Sequence, residues 1–204
     1  MSDRAFINRR TVLTGVAALP LLPLLGAAPA AAQGMAEARA LVDNAVAAIN
    51  RVIASGQSEA AMIRDFEQLF VRYADVPLIA QSVLGPPARS ASQGQLRAFT
   101  DAFQGYIARK YGRRFREFIG GSVTVVDGRP VRNFYEVITR ADIPGERPFE
   151  LRFLVSNRSG QTRFFNLIIE GVNLMITERT EIGALLDRSG GDLDRMIATL
   201  RQTG

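Results

Sequence analysis

The chain reads as an α+β domain in which amphipathic helices pack on one face of a curved antiparallel sheet of about five strands. Three observations predict this. Apolar residues recur at three- and four-residue steps as far as Phe118, the spacing of helices with one buried stripe. Beyond Gly120-Gly121 the period falls to two, as in strands whose side chains alternate between faces. Short turns containing Gly, Pro or Asp separate these later segments, so successive strands pair as antiparallel neighbours.

The elements begin after an N-terminal segment that does not belong to the fold. Arg9-Arg10 precede an apolar stretch from Val12 to Ala28, which closes on Ala30-Ala31-Ala32, the arrangement of a cleavable export signal. An apolar core of about 17 residues, broken by Pro20 and Pro23, falls short of the roughly 20 uninterrupted residues that span a bilayer. The paired arginines resemble a twin-arginine signal, although an ordinary secretory n-region carries similar charges. Residues 1–32 are therefore expected to be the signal and 33–204 a single domain, released into the compartment beyond the inner membrane. No cysteine stands near the junction to carry a lipid anchor. Loss of Arg4, Arg9, Arg10 and Asp3 from 25 basic and 20 acidic residues leaves a net charge of about +3.

A first helix spans Met35 to Ala54, with Ala38, Leu41, Val42, Ala45, Val46, Ile49 and Ile53 on one side and Gly56 as its stop. The second begins at Ser58 and carries Met62, Ile63, Phe66, Leu69 and Phe70 as far as Tyr73. Asp75 and Pro77 open a short third helix through Val83, which Gly85-Pro86-Pro87 ends. For the fourth, Ser92 to Gln95 spells a capping box, and Leu96, Phe99, Phe103, Ile107, Tyr111, Phe115 and Phe118 form one continuous stripe. About 24 residues at 1.5 Å each make it roughly 36 Å long, more than a five-stranded sheet needs for cover, and that excess suggests a cavity.

Strands are expected near Val123 to Val126, Arg132 to Arg140, Phe149 to Ser156, Thr162 to Glu170 and Val172 to Thr177. Their turns are Asp127-Gly128, Pro144-Gly145, Ser159-Gly160 and the Gly171 corner. Two short helices, Ile182 to Asp187 and Asp192 to Leu200, finish the chain around Gly190-Gly191.

Composition narrows the chemistry. Cysteine is absent, so thiol nucleophiles, thiolate metal sites and disulfides are excluded. Histidine is absent too, and with it the commonest general base and metal ligand. No catalytic residue, metal site or cofactor is assigned. The carboxylates Glu150, Asp127 and Glu136 have no nucleophile beside them, and an enzyme on this scaffold would have to draw on Tyr106, Tyr135 or Asp127. The basic group Arg109, Lys110, Arg113, Arg114 and Arg116 either meets anionic head groups or an acidic partner, or forms a solvated helix face. Nucleic acid is not expected as a partner, because the aromatics lie opposite the charges and not among them.

Three ordered groups of residues carry a resemblance: Val83-Leu84-Gly85; then Phe99-Thr100-Asp101-Ala102-Phe103 with Tyr106 and Tyr111-Gly112; then Ile168-Ile169-Glu170-Gly171-Val172-Asn173 with Arg179. Over nearly the whole mature chain, including the Gly190-Gly191 break, the sequence resembles the MlaC, or toluene-tolerance, family of periplasmic lipid carriers. It departs from the family where Phe164 or Phe165 replaces a tryptophan, Asn173 a serine, and Thr177-Glu178 an asparagine-tyrosine pair. The resemblance implies a cystatin-like cone, a curved sheet wrapped by helices around a deep apolar cavity. It implies a carrier of phospholipid, or in a close branch of hopanoid, between an outer-membrane lipoprotein/porin complex and an inner-membrane Mla-type ABC transporter.

On that reading the cavity wall comprises Val83, then Phe99, Phe103, Tyr106, Ile107, Tyr111 and Phe115 on the fourth helix. From the strands it takes Val125, Tyr135, Val137, Phe149, Leu151, Phe153, Phe165, Leu167, Ile169 and Leu174. Two acyl chains carry about 30 methylenes, and exposing them to water costs roughly 25 kcal/mol, so the wall should be apolar throughout. The charged head group is then expected at the mouth, with weak specificity for it.

Overall fold

The computed structural model describes residues 30–204. The expected export signal, residues 1–32, lies outside them except for Ala30–Ala32, which begin the first helix. That helix, α1, spans Ala30–Ala54 and starts earlier than its apolar stripe because alanine has the highest helix propensity. Helix α2, Glu59–Tyr73, is capped by Ser58, whose hydroxyl accepts from the Ala61 N–H. Helix α3, Val76–Leu84, starts on Asp75 in the same way and ends at Gly85, which takes φ 71°. A turn of 3₁₀ helix follows at Pro86–Arg89.

Helix α4, Gln93–Gly112, opens on the expected capping box: Ser92 Oγ accepts from the Gln95 N–H and the Gln95 carboxamide oxygen accepts from the Ser92 N–H, both at 3.1 Å. It is shorter than its stripe suggests. At Gly112 the chain tightens into a 3₁₀ helix, Arg113–Phe118, so the α-helical part is about 30 Å long. Gly112 lies so close to α2 that a Cβ there would stand 2.9 Å from the Ile63 Cα. The tighter winding brings Phe115 edge-on to Phe66 of α2 and Phe118 edge-on to Phe149 on the sheet.

The sheet is an open antiparallel meander in the order β1-β2-β3-β4-β5. Strands β1, Ser122–Val131, and β2, Phe134–Asp142, meet at a two-residue turn, Arg132-Asn133, where Arg132 takes φ 46°. The expected turn at Asp127-Gly128 is instead part of β1, beside a bulge between Val125 and Asp127, since a bulge draws on the same residues as a turn. Strand β3 is Phe149–Ser156 and β4 is Arg163–Ile169, with a second bulge opposite Leu154/Val155.

The fifth strand is reduced to β5, Val172–Asn173, and the chain continues as α5, Leu174–Arg188. Alternation of Val172, Leu174 and Ile176 suggested a longer strand, but side-chain caps decide otherwise. Asn173 accepts from the Ile176 N–H, and Asn166 on β4 accepts from the Met175 N–H while donating to Asn173. Ile176 is consequently exposed. Helix α6, Leu193–Leu200, starts on Asp192.

Two cores result. Helix α1 lays Ala38, Val42 and Val46 on the β1–β2 half of the sheet, against Val123, Val137 and Ala141, with Val155 beside them. Helices α3 to α6 form a second core around Phe99, Phe103, Ile182, Met196 and Leu200. Helix α1 also reaches β3, and α3 and α5 meet β4, so the space between the two cores is bounded by β3 and β4 on one side and by helices on the others. Among the described residues no helix is long and apolar enough to cross a membrane.

Candidate functional site

The space between the two cores is a cavity of about 1090 Å³. Leu151 and Phe153 of β3 form one wall together with Phe164, Leu167 and Ile169 of β4. Phe66, Leu69, Phe70 and Tyr73 of α2 form another, with Ala45 and Ile49 of α1 beside them. Phe103, Ile107 and Tyr111, one α4 turn apart, form the third, continued by Phe115 and Phe118. Several of these large apolar side chains, among them Phe66, Phe115, Leu167 and Ile169, are only half-buried because they face the void.

Of the residues expected on the wall, the structure brings together Val83, Phe103, Ile107, Tyr111, Phe115, Phe149, Leu151, Phe153, Phe165, Leu167, Ile169 and Leu174. Five others lie elsewhere. Val125, Tyr135 and Val137 face the β1–β2 half that α1 covers, and Val137 is fully buried there. The Tyr135 hydroxyl reaches back to Gly34, where a Cβ would fall 2.0 Å from it. Phe99 is sealed into the helical core one turn before the cavity begins. Tyr106 points to the α5 side of α4 and hydrogen-bonds Glu181.

The α2 face and Phe164 were not anticipated. The α2 stripe is legible as a helix face, but nothing local says that its outer members line a void. Phe164 depends on the β4 bulge: pairing with Val155, it packs edge-on to Phe153 with ring centroids 5.5 Å apart and also meets Phe70. Without the bulge, alternation assigns Phe165 alone to that face.

Charge gathers at one end of the cavity, where Arg114, Glu117, Glu146, Arg147, Glu170 and Glu181 are exposed. Just inside lies a polar cluster joining α4 to α5. The Lys110 ammonium donates to Glu178 Oε1 and Glu181 Oε2, both at 2.7 Å, and to the Tyr106 hydroxyl at 3.1 Å. The Tyr106 hydroxyl donates to Glu181 at 2.8 Å and that of Tyr111 to Glu178 Oε1 at 2.5 Å. Lys110 also stands 5.4 Å from each tyrosine ring centroid, within cation–π range.

Burial first, and then the Glu178 charge, push the Tyr106 phenol well above its usual range. Burial and the hydrogen bond to Glu178 do the same for Tyr111. For Glu181 burial acts upward, but hydrogen bonds from Lys110 and Tyr106 outweigh it and hold the carboxyl below its ordinary value. Glu178 is 3% exposed, and its Oε2 has no hydrogen-bond partner among the described residues.

The carboxylates singled out from sequence lie away from the cavity. Glu136 pairs with Arg129 at 2.5 Å and with Arg152 at 3.6 Å, Arg152 also bonds Glu150, and Asp127 accepts from the Gly128 N–H. Of the three groups on which an enzyme would draw, Tyr106, Tyr135 and Asp127, none lines the cavity. Among the described residues no cluster of carboxylates is arranged to hold a metal. Gly85 and Arg179, far apart in sequence, meet beside the cavity, where a Cβ on Gly85 would come within 2.7 Å of the guanidinium.

A family model described as "MlaC protein" matches residues 39–202. The fold is similar to that of the phospholipid-binding protein from Ralstonia solanacearum, solved in complex with a phospholipid. That likeness has a TM-score of 0.67 at 18% sequence identity and covers 83% of this chain and 95% of the other.

Proposed function

The chain belongs to the MlaC family, and on that premise we propose that it is a periplasmic carrier that moves phospholipid between the outer membrane and an inner-membrane ABC transporter. The observation that carries the reading is the cavity itself, apolar along its wall and charged at one end. At hydrocarbon density a methylene takes roughly 27 Å³, so about 30 of them need on the order of 800 Å³. A volume of about 1090 Å³ accommodates two such chains and leaves room near the mouth. Burial of those chains offsets the roughly 25 kcal/mol that water would exact, while the phosphate stays among exposed charges.

The phospholipid held by the similar Ralstonia protein supports the same cargo here. The apolar run after Arg9-Arg10 supports export, by the twin-arginine route or the general one. A carrier working across an aqueous gap needs docking partners at both ends, and the proposed ones are the Mla-type ABC transporter complex and the outer-membrane lipoprotein/porin complex.

The test is native mass spectrometry of the purified mature domain, followed by extraction and identification of any lipid. The expected result is one intact diacyl phospholipid per chain. A protein that is empty and takes up no lipid from vesicles refutes the carrier reading. Recovery of hydrolysed lipid would replace it with an enzyme acting in the same cavity.

A further inference from the structure

We propose that a crevice between α3 and α5, outside the lipid cavity, is a docking site for a protein partner that presents an acidic side chain flanked by apolar ones. The inference does not depend on which cargo the cavity carries.

The crevice holds about 420 Å³ and takes its wall from Gln81, Ser82 and Gly85 at the end of α3, Arg89 on the 3₁₀ turn, and Met175 and Arg179 on α5. No carboxylate lines it, and neither guanidinium forms a salt bridge among the described residues. The backbone holds both arginines at the recess. Pro86 and Pro87 stiffen the turn that presents Arg89. Arg179 lies against Gly85, where a Cβ would stand 2.7 Å from Nη2, 2.9 Å from Nε and 3.2 Å from Cζ. Gly85 also takes φ 71°, so the contact and the conformation both call for glycine. The end of α3 does not take up the charge: Gln81 O accepts from the Gly85 N–H, and no hydrogen bond joins Arg179 to α3 among the described residues. Two guanidiniums at one recess with no acid between them form a site for an anion that accepts from both, and a carboxylate does so with matching geometry.

The flanks of the crevice point to a protein as the source of that carboxylate. Leu78 stands one turn before Ser82 on α3, and Ile176 one turn before Arg179 on α5. Both are large apolar side chains that stay exposed, Ile176 at 63%. Free phosphate would use the charge and leave these flanks in water, whereas an acidic segment with apolar neighbours covers both. Arginine beside apolar side chains is also the makeup of protein interfaces. Of the crevice residues only Met175 lines the lipid cavity too, so its side chain is the partition between them. None belongs to the charged mouth, and a partner anchored here by its acidic segment does not occupy the entrance.

The experiment titrates the mature domain with a capped peptide, Ala-Leu-Glu-Leu-Glu-Ala, and with its counterpart in which glutamine replaces both glutamates. NMR follows the arginine Nε–H signals and the Met175 methyl, which localises binding to the crevice. Saturable shifts at Arg89, Arg179 and Met175 are expected, with affinity about tenfold weaker for the glutamine peptide, the scale of one charge-assisted hydrogen bond. Arg179→Gln and Arg89→Gln should each weaken the acidic peptide about tenfold and leave the lipid content unchanged, since neither arginine lines the cavity. Either variant suffices should the other fail to fold. The proposal is overturned by no saturable shift, by equal binding of the two peptides, or by variants that bind as wild type does. Displacement of the peptide by inorganic phosphate at equal concentration would reduce the crevice to a simple anion site, and displacement by phosphatidylglycerol vesicles would make it a membrane contact. Either result overturns protein docking there, and a loss of lipid from a folded variant would make the crevice part of the lipid site.

Discussion

Replacing Leu167 by tryptophan tests whether the void beside β4 is where acyl chains lie. Leu167 pairs with Phe153 across the β3–β4 ladder and is half-buried only because it faces the cavity. Tryptophan exceeds leucine by roughly 60 Å³, the space of about two methylenes at roughly 27 Å³ each. At about 0.8 kcal/mol per methylene, two methylenes displaced from the wall where longer chains pack against Leu167 cost roughly 1.6 kcal/mol, or somewhat over tenfold in affinity. A lipid with shorter chains leaves that space empty and should lose little. The assay is competition between diacyl lipids of 14- and 18-carbon chains for wild type and Leu167→Trp, read by native mass spectrometry, with the ratio expected to move about tenfold toward the shorter lipid. The chain contains no tryptophan, so the new indole also reports directly, its emission changing as lipid enters. An equal loss for both chain lengths, or no loss, would show that the chains do not run past Leu167.

Two further outcomes follow from the same geometry. Phe99→Ala removes a fully buried ring from the helical core and should cost about 3–5 kcal/mol in urea denaturation, yet leave the lipid content of the folded protein unchanged because Phe99 does not reach the cavity; loss of lipid from a folded variant would return Phe99 to the wall. Burial and the neighbouring carboxylates raise the Tyr106 and Tyr111 phenols above their ordinary value of 10.0. A folded pKa above the unfolded one stabilises the fold fully below about pH 10, and that contribution fades as the pH rises beyond it. Wild-type stability should therefore fall faster above pH 10 than that of the Tyr106→Phe, Tyr111→Phe double variant, and parallel curves would contradict the burial of these hydroxyls.

What could be read from sequence was what neighbouring residues determine. Ser58, Asp75 and Ser92 announce helix starts because a cap is a contact across three residues. Strand β3 is legible from end to end because its alternation is unbroken from Phe149 to Ser156. The misreadings arise where distant residues decide. Leu174 begins a helix because Asn166, eight positions earlier on β4, holds the Met175 N–H and the Asn173 cap. The first hairpin turns at Arg132 and not at Asp127-Gly128 because pairing with β2 absorbs the latter as a bulge. The site divides in the same way. Val125, Tyr135 and Val137 have the same alternating pattern as Leu151 and Phe153, and only their distance along the sheet from the helices that close the cavity decides which set borders it. Glu178 is legible in sequence only as a departure from the family's pattern, whereas the hydrogen bonds it accepts from Lys110 and Tyr111 depend on how α4 and α5 meet.

The division of the sheet also explains how a protein can keep so large an apolar void without collapsing into it. Each cavity wall is the far side of a core that is complete without cargo. Phe103 is fully buried among helices α3 to α6, and Leu151 and Phe153 belong to the core that α1 forms with the sheet. Moving either wall inward would open a hole in the core it belongs to, at about 24 cal/mol for every Å³ of cavity so created. Cavity-facing side chains are therefore expected to keep their places as an acyl chain enters, without reorganisation of the backbone. A carrier that must surrender its cargo as readily as it accepts it gains from such walls. Most of the hydrophobic stabilisation of the fold is then independent of the lipid, and the lipid's own burial is the main term gained on loading and lost on release.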